Sequence, residues 1–84
     1  MSPEQQRRRH NTRFSKAFGR CRVTWNRDLA YVRPQAPEFK GLTVWIRRVG
    51  WDWEMELSNS DLKFKNPNLK PLADQLRLVA LLQS

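Results

Sequence analysis

The sequence predicts an α+β fold: an N-terminal basic helix, a three- or four-stranded antiparallel sheet, and a C-terminal helix packed on one face of that sheet. Two observations predict it. Apolar residues recur with a helical period at both ends of the chain and with a period of two between them. A length of 84 residues, 39% of them hydrophobic, allows one small core. We therefore expect one α+β folding unit over residues 20–84, preceded by a basic helical arm over residues 1–19.

The arm carries the signals of a helix start and a helix end. Ser2 precedes Pro3, and Gln5 follows the serine by three positions, which is typical of an N-cap, a proline at N1 and a capping box. Gly19 is suited to end the helix, because glycine readily adopts the left-handed conformation that follows many last turns. The sequence thus predicts a helix from about Pro3 to Phe18.

Cations and apolar residues lie on different sides of this helix. At about 100° per residue, one side groups four cations, which are Arg9, Arg13, Lys16 and Arg20. The other side groups His10, Phe14, Ala17 and Phe18. We expect the second side to pack against the domain and the first to face solvent.

The middle of the chain alternates apolar and polar residues, as strands do. Polar residues 26–28 predict the first turn, and Gly50 predicts a two-residue hairpin loop, because it tolerates the positive φ of a type II′ turn. That loop sets three cross-strand pairs: Val44 with Leu57, Ile46 with Met55, and Arg47 with Glu54. Residues 63–65 are a candidate edge strand.

The last segment, from about Pro71 to Gln83, predicts a helix with the proline at N1. Its apolar stripe consists of Leu72, Ala73, Leu76, Val79 and Ala80. Three further leucines fall outside the stripe: Leu78, Leu81 and Leu82. We favour their burial against Phe14 and Phe18, and the alternative is a homodimer seam or a partner-binding patch.

The charge is +8 and is concentrated at the N-terminus, where residues 1–27 hold eight cations against Glu4 alone. Such a balance favours an anionic partner. Arginine is suited to phosphate because its planar fork donates two parallel hydrogen bonds. The candidate nucleic-acid-binding residues are Arg7, Arg8, Arg9, Arg13, Lys16, Arg20 and Arg22. The alternative is a solubilising basic tail.

The sequence gives little support for a catalytic site or a metal site. His10 has no neighbouring carboxylate to orient it as a base, and Cys21 is the only cysteine, which excludes an intramolecular disulfide. Asp52, Glu54 and Glu56 alternate along one strand, but we expect ion pairs rather than a metal site. We expect no enzyme activity, no cofactor and no metal, and a cytoplasmic protein, or one associated with the nucleoid or nucleus, without a membrane span.

Two tryptophans are candidate stacking residues or partner anchors. Trp45 is expected on the charged face of the sheet, where we favour its coverage by a neighbouring strand or by the basic helix. Trp51 is expected at a hairpin tip, and it either stacks on a base or partner or folds back over its own hairpin.

These features favour a small nucleic-acid-binding module, with RNA ahead of DNA because no element presents the amide and small side chains of a helix that reads the major groove. Such a module is suited to be a subunit of a larger nucleoprotein assembly. The alternative is a compact regulator, of the kind that phages and mobile elements encode, which docks on an acidic surface of a larger enzyme. Both alternatives use the basic helix and the spare tryptophans.

Overall fold

The computed structural model describes residues 2–83 and confirms the α+β class. The elements are α1 (Pro3–Phe18), β1 (Cys21–Asn26), β2 (Leu29–Pro34), a 3-10 turn (Pro37–Phe39), β3 (Val44–Val49), β4 (Asp52–Leu57), β5 (Lys63–Asn66) and α2 (Leu69–Leu82). Each strand pairs with the next, so the sheet is an antiparallel meander in the order β1-β2-β3-β4-β5.

The sheet has five strands where the sequence predicted three or four. The difference lies at β5, which pairs with β4 along all of its residues. Lys63 lies opposite Glu56, and Lys65 lies opposite Glu54. Opposite charges in directly facing positions stabilise an antiparallel pair, so Lys63 and Lys65 favour the pairing of this candidate edge strand with β4.

The β3–β4 hairpin has the predicted register, with Val44 facing Leu57, Ile46 facing Met55 and Arg47 facing Glu54. Its loop contains only Gly50 and Trp51, and Gly50 has a φ of 62°. A glycine with positive φ at the first loop position twists the two strands as a type II′ turn does. One glycine therefore decides which side chains enter the core.

Helix α1 has the predicted bounds, whereas α2 begins two residues earlier than predicted. The Ser2 hydroxyl accepts a hydrogen bond from the Gln5 amide at 3.2 Å, which completes the capping box at the start of α1. Just before α2, the Asn66 side chain accepts a hydrogen bond from the Asn68 amide at 2.8 Å. This contact turns the chain into the helix. Pro71 lies within the first turn rather than at N1. That turn tolerates proline because its amides have no acceptor within the helix.

One face of the sheet packs against both helices. Phe14 and Phe18 of α1 and Leu72 and Leu76 of α2 are buried there, in a cluster with Ile46 and other strand residues. The side of α1 predicted to dock is thus confirmed. The opposite face, which we call the open face, carries neither helix, and its Trp45 packs against Tyr31 of β2 with ring centroids 4.6 Å apart. A neighbouring strand therefore covers Trp45, and the basic helix does not.

The prediction that the C-terminal leucines pack on Phe14 and Phe18 is wrong. Leu78, Leu81 and Leu82 are 51%, 70% and 77% exposed. The phenylalanine contacts are already made elsewhere: Phe14 packs on Trp25 and Trp53, and Phe18 packs on Phe39 of the 3-10 turn. The three leucines lie off the buried stripe of α2, so they face away from the core.

Replacement of Phe14 by alanine tests the docking of α1. We expect the free energy of unfolding to fall by about 3–5 kcal/mol, because a buried ring is removed and a cavity remains. Urea denaturation followed by tryptophan fluorescence measures this change. The control is Arg9→Ala with Arg13→Ala, which should change stability by no more than about 0.5 kcal/mol, since both side chains are exposed. The reverse result would show that the two sides of α1 are exchanged.

Candidate functional site

A cleft of about 720 Å³ lies between α1 and the start of α2. Among the residues that the structure describes, no carboxylate lines it. Five cations do: Arg13, Lys16, Arg48, Lys70 and Arg77. We call this site the basic cleft.

Three elements that are distant in sequence bring these cations together. Arg13 and Lys16 lie about one turn apart on α1, and both are exposed. Arg48 occupies the end of β3, and it points to the helix-covered face because it alternates with Ile46 along the strand. Lys70 lies in the first turn of α2. The cleft is therefore a product of the tertiary fold.

Arg48 forms the floor of the cleft together with Trp53. Its guanidinium carbon lies 4.7 Å from the centre of the indole ring, and its Nε donates a hydrogen bond to the Gly50 carbonyl at 3.3 Å. The ring attracts the cation through its negative face. These two contacts fix the guanidinium in place before any ligand arrives.

Arg77 differs from the other four cations because it has ion-pair partners. It bonds to Glu38 and Asp74 and lies over the Phe39 ring, so its role is to tie α2 to the 3-10 turn. Over residues 2–83, no carboxylate lies within 4.0 Å of the remaining cations, which are Arg13, Lys16, Arg48 and Lys70. Their charge is available to an external anion.

The start of α2 adds to this positive potential. Asn68, Leu69 and Lys70 line the cleft, and the Asn68 side chain does not cap the helix. The first amides of a helix carry a partial positive charge and lack partners within the helix. An anion in the cleft would approach these amides as well as the side chains.

The structure places the predicted nucleic-acid-binding residues on several different surfaces. Arg9, Arg13 and Lys16 are exposed on α1, and the last two line the basic cleft. Arg20 is exposed beyond the end of that helix. Arg8 is also exposed and lies 3.8 Å from Glu4. Arg7 turns inward, where it donates a hydrogen bond to the Arg27 carbonyl at 2.8 Å and lies 5.7 Å from the centre of the Trp25 ring.

Arg22 lies on the open face, away from the cleft, because it alternates with the half-buried Cys21 and Val23. Arg48 and Lys70 were not among the predicted site residues. A signal for Arg48 exists in the sequence: it continues the apolar alternation of Val44 and Ile46 as a cation. The sequence has no comparable signal for Lys70, whose place depends on how α2 packs.

His10 lies between the basic cleft and the β1–β2 turn. Its ring centroid lies 4.8 Å from that of Trp53 and 6.0 Å from that of Trp25. Burial lowers the pKa of His10 below its ordinary value, and the positive charges of Arg13 and Arg48 lower it further. The imidazole is therefore neutral at neutral pH and packs as an aromatic ring.

The three carboxylates of β4 are all paired, which confirms the expected Arg47–Glu54 ion pair at 3.2 Å. Glu56 pairs with Lys63 at 3.3 Å, and Asp52 pairs with Lys65 at 4.0 Å. Over residues 2–83, no group of three or more His, Cys, Asp or Glu side chains is placed to hold a metal ion. Burial raises the pKa of the Cys21 thiol, which disfavours its reactive thiolate form.

Trp51 is 86% exposed at the tip of the β3–β4 hairpin, so it does not fold back over that hairpin.

In the described part of the chain, no helix is long and apolar enough to cross a membrane. Comparison with family models, with curated proteins and with solved structures finds no significant match to this chain. The functional argument therefore rests on the geometry of the site.

The environment of His10 predicts a pH dependence of stability. Because the pKa of His10 is lower in the folded protein than its ordinary value of 6.5, the unfolded chain takes up the proton first as the pH falls. The free energy of unfolding should therefore decrease below about pH 6.5. Denaturant titrations between about pH 7 and pH 5 measure this, and His10→Gln should remove that part of the slope. An unchanged slope in the variant would contradict the assignment.

Proposed function

We propose that the protein binds nucleic acid through the phosphate backbone, at the basic cleft and along the outward cations of α1. One observation carries the proposal: four cations without an ion-pair partner converge on one cleft from three elements. Like charges held together repel one another, and this repulsion is relieved when an anion binds between them. Binding of an anion would therefore lower the electrostatic cost of holding these cations together.

A polyanion fits the surface better than a small anion. The exposed cations continue from Arg13 and Lys16 to Arg9, one turn earlier on α1. Arg20 is also exposed and lies just beyond the end of the helix. From Arg9 to Lys16 the helix rises by about 10 Å. One small anion covers only a fraction of that length, whereas the backbone of a nucleic-acid duplex places several phosphates along it.

The cleft is suited to read the backbone rather than the bases. Among the described residues, Trp53 is the only aromatic one that lines the cleft. Its side chain lies beneath Arg48 and Trp53 is 2% exposed, so no base can stack on it. Contacts to phosphate position a protein without reading sequence. We place RNA ahead of DNA, because recognition by shape and backbone is the usual mode for RNA helices.

A second candidate function has one observation in its favour, the exposure of Trp51. A large apolar ring that is 86% exposed adds little to the stability of its own hairpin. Such rings commonly anchor protein interfaces. A regulator that docks on an acidic surface would combine this anchor with the cations of α1.

The basic cleft is tested by the variant Arg13→Gln with Lys70→Gln. Each phosphate contact contributes about −0.9 to the slope of log affinity against log salt on a duplex. We expect the two substitutions to reduce that slope by about 2 and to weaken binding at every sequence tested. Fluorescence anisotropy with labelled RNA and DNA duplexes across a salt series measures both quantities.

The matched control is Arg47→Gln with Lys63→Gln, which removes the same charge from cations that already have partners on the open face. This control should keep the wild-type slope. Equal losses in the two variants would show that binding follows net charge and not the cleft. Affinity that does not change with salt in the wild-type protein would contradict phosphate binding altogether.

Trp51→Ala separates the two candidate functions. The protein should keep its melting temperature, because the ring is exposed. If the hairpin tip contacts nucleic acid, affinity for single strands should fall by about 1–3 kcal/mol through lost stacking. If the protein is a regulator, the same change should instead abolish capture of one stoichiometric partner in a pull-down from native cells, with oligonucleotide affinity unchanged.

A further inference from the structure

Two arginines face each other directly on the open face. Arg22 of β1 and Arg33 of β2 are partners in the strand register, and both are exposed. Like charges in directly facing positions destabilise a strand pair. Over residues 2–83, no carboxylate lies within 4.0 Å of either guanidinium. The pair therefore offers two forks to an external anion.

These arginines lie beside a concave surface of about 500 Å³, which Gln35 and Thr43 also line. Gln35 is fixed in place, because its backbone amide donates to the Arg20 carbonyl at 2.9 Å and its side chain donates to the Arg33 carbonyl at 3.1 Å. The surface beside the arginine pair is thus concave, and the hydrogen bonds of Gln35 hold its polar part in place.

The rest of the open face is electrically neutral. Its carboxylates lie on β4 and are paired with cations of β3 and β5, as in the Arg47–Glu54 and Lys63–Glu56 pairs. The excess positive charge of this face is therefore confined to its β1–β2 end. An anion that approaches the open face is attracted to that end.

Aromatic rings lie next to the arginine pair. Tyr31 lies two positions before Arg33 on the same side of β2. The register partner of Tyr31 on β3 is Trp45. The Tyr31 hydroxyl donates to the Thr43 hydroxyl at 2.9 Å, which fixes the ring. Both rings are only half-buried, so part of each remains open to a ligand. Cations beside an aromatic platform are the combination that binds single strands.

We propose that the β1–β2 end of the open face is a second nucleic-acid site, which takes a single strand. Arg22 and Arg33 hold a phosphodiester, and the Tyr31–Trp45 pair supports the neighbouring base. The basic cleft lies on the other side of the sheet. One molecule therefore bridges two nucleic-acid segments, a consequence that rests on the proposed function of the cleft.

A sandwich experiment tests the second site. An RNA duplex is immobilised on beads, wild-type protein is added, and retention of a fluorescent oligouridylate strand is measured. Direct anisotropy of the same strand with free protein is measured in parallel. For Arg22→Gln with Arg33→Gln, we expect both strand retention and direct strand affinity to fall about tenfold or more, since two charge-assisted contacts are lost. Duplex affinity should stay unchanged.

The matched control is again Arg47→Gln with Lys63→Gln, which removes two paired cations from the same face and should retain the strand. The melting temperature of the Arg22/Arg33 variant should not fall, because a like-charge pair is removed. Direct strand affinity that is unchanged in this variant, or lost equally in the control, would overturn the second site. If the Arg22/Arg33 variant still retains the strand on the beads, bridging by one molecule is wrong. The duplex and the strand could then be held by two different copies of the protein.

The two proposals fail in different measurements. If the basic cleft does not bind duplex, the protein does not load on the beads, but direct strand anisotropy still reports on Arg22 and Arg33. If only the second site fails, duplex binding persists and the strand is not retained. The variant Arg13→Gln with Lys70→Gln should show the complementary pattern, with duplex binding weakened and direct strand binding kept.

Discussion

Phe14 lies between Trp25 and Trp53, with ring centroids 6.1 and 5.5 Å away, and this contact fixes the rotation of α1 about its own axis. Consecutive residues of a helix differ in direction by about 100°, so the direction of one buried ring decides the direction of every other side chain. With Phe14 inward, Arg13 and Lys16 line the basic cleft. A different rotation of α1 would turn these cations away from Arg48 and Lys70, and the cleft would not form.

Polar contacts along the first half of α1 hold the same rotation. The Trp25 indole donates a hydrogen bond to Asn11 at 2.9 Å, and Arg7 reaches the Arg27 carbonyl at the β1–β2 turn. Arg27 has a φ of 58°, which is unusual for a residue with a side chain. The hydrogen bond from Arg7 ties that turn to the helix. Arg7 thus stabilises the fold, whereas Arg9, two positions later, remains available to a ligand.

Local signals allowed most of the fold to be predicted. Ser2, Gln5 and Gly19 define α1 through contacts within a few residues, and Gly50 defines a register that extends along a whole hairpin. The predictions were wrong where contacts between elements distant in sequence determine the packing. The C-terminal leucines were expected to pack on Phe14 and Phe18, but Phe18 packs on Phe39 of the short 3-10 turn instead. Two of the four unpaired cleft cations, Arg48 and Lys70, lie outside α1. Only the packing of α2 brings Lys70 to the cleft.

The distribution of carboxylates supports an external ligand on physical grounds. Every side-chain carboxylate of the described chain except those of Asp28 and Asp61 has a cation within 4.0 Å. Apart from Glu4, the paired carboxylates lie on β4, α2 and the 3-10 turn, away from the outward side of α1. Exposed ion pairs contribute little to stability, and a large net charge of one sign opposes the compact state through self-repulsion. Neither effect accounts for the accumulation of unpaired cations at the cleft and at the Arg22–Arg33 pair, and this accumulation is the basis of the proposed anionic partner.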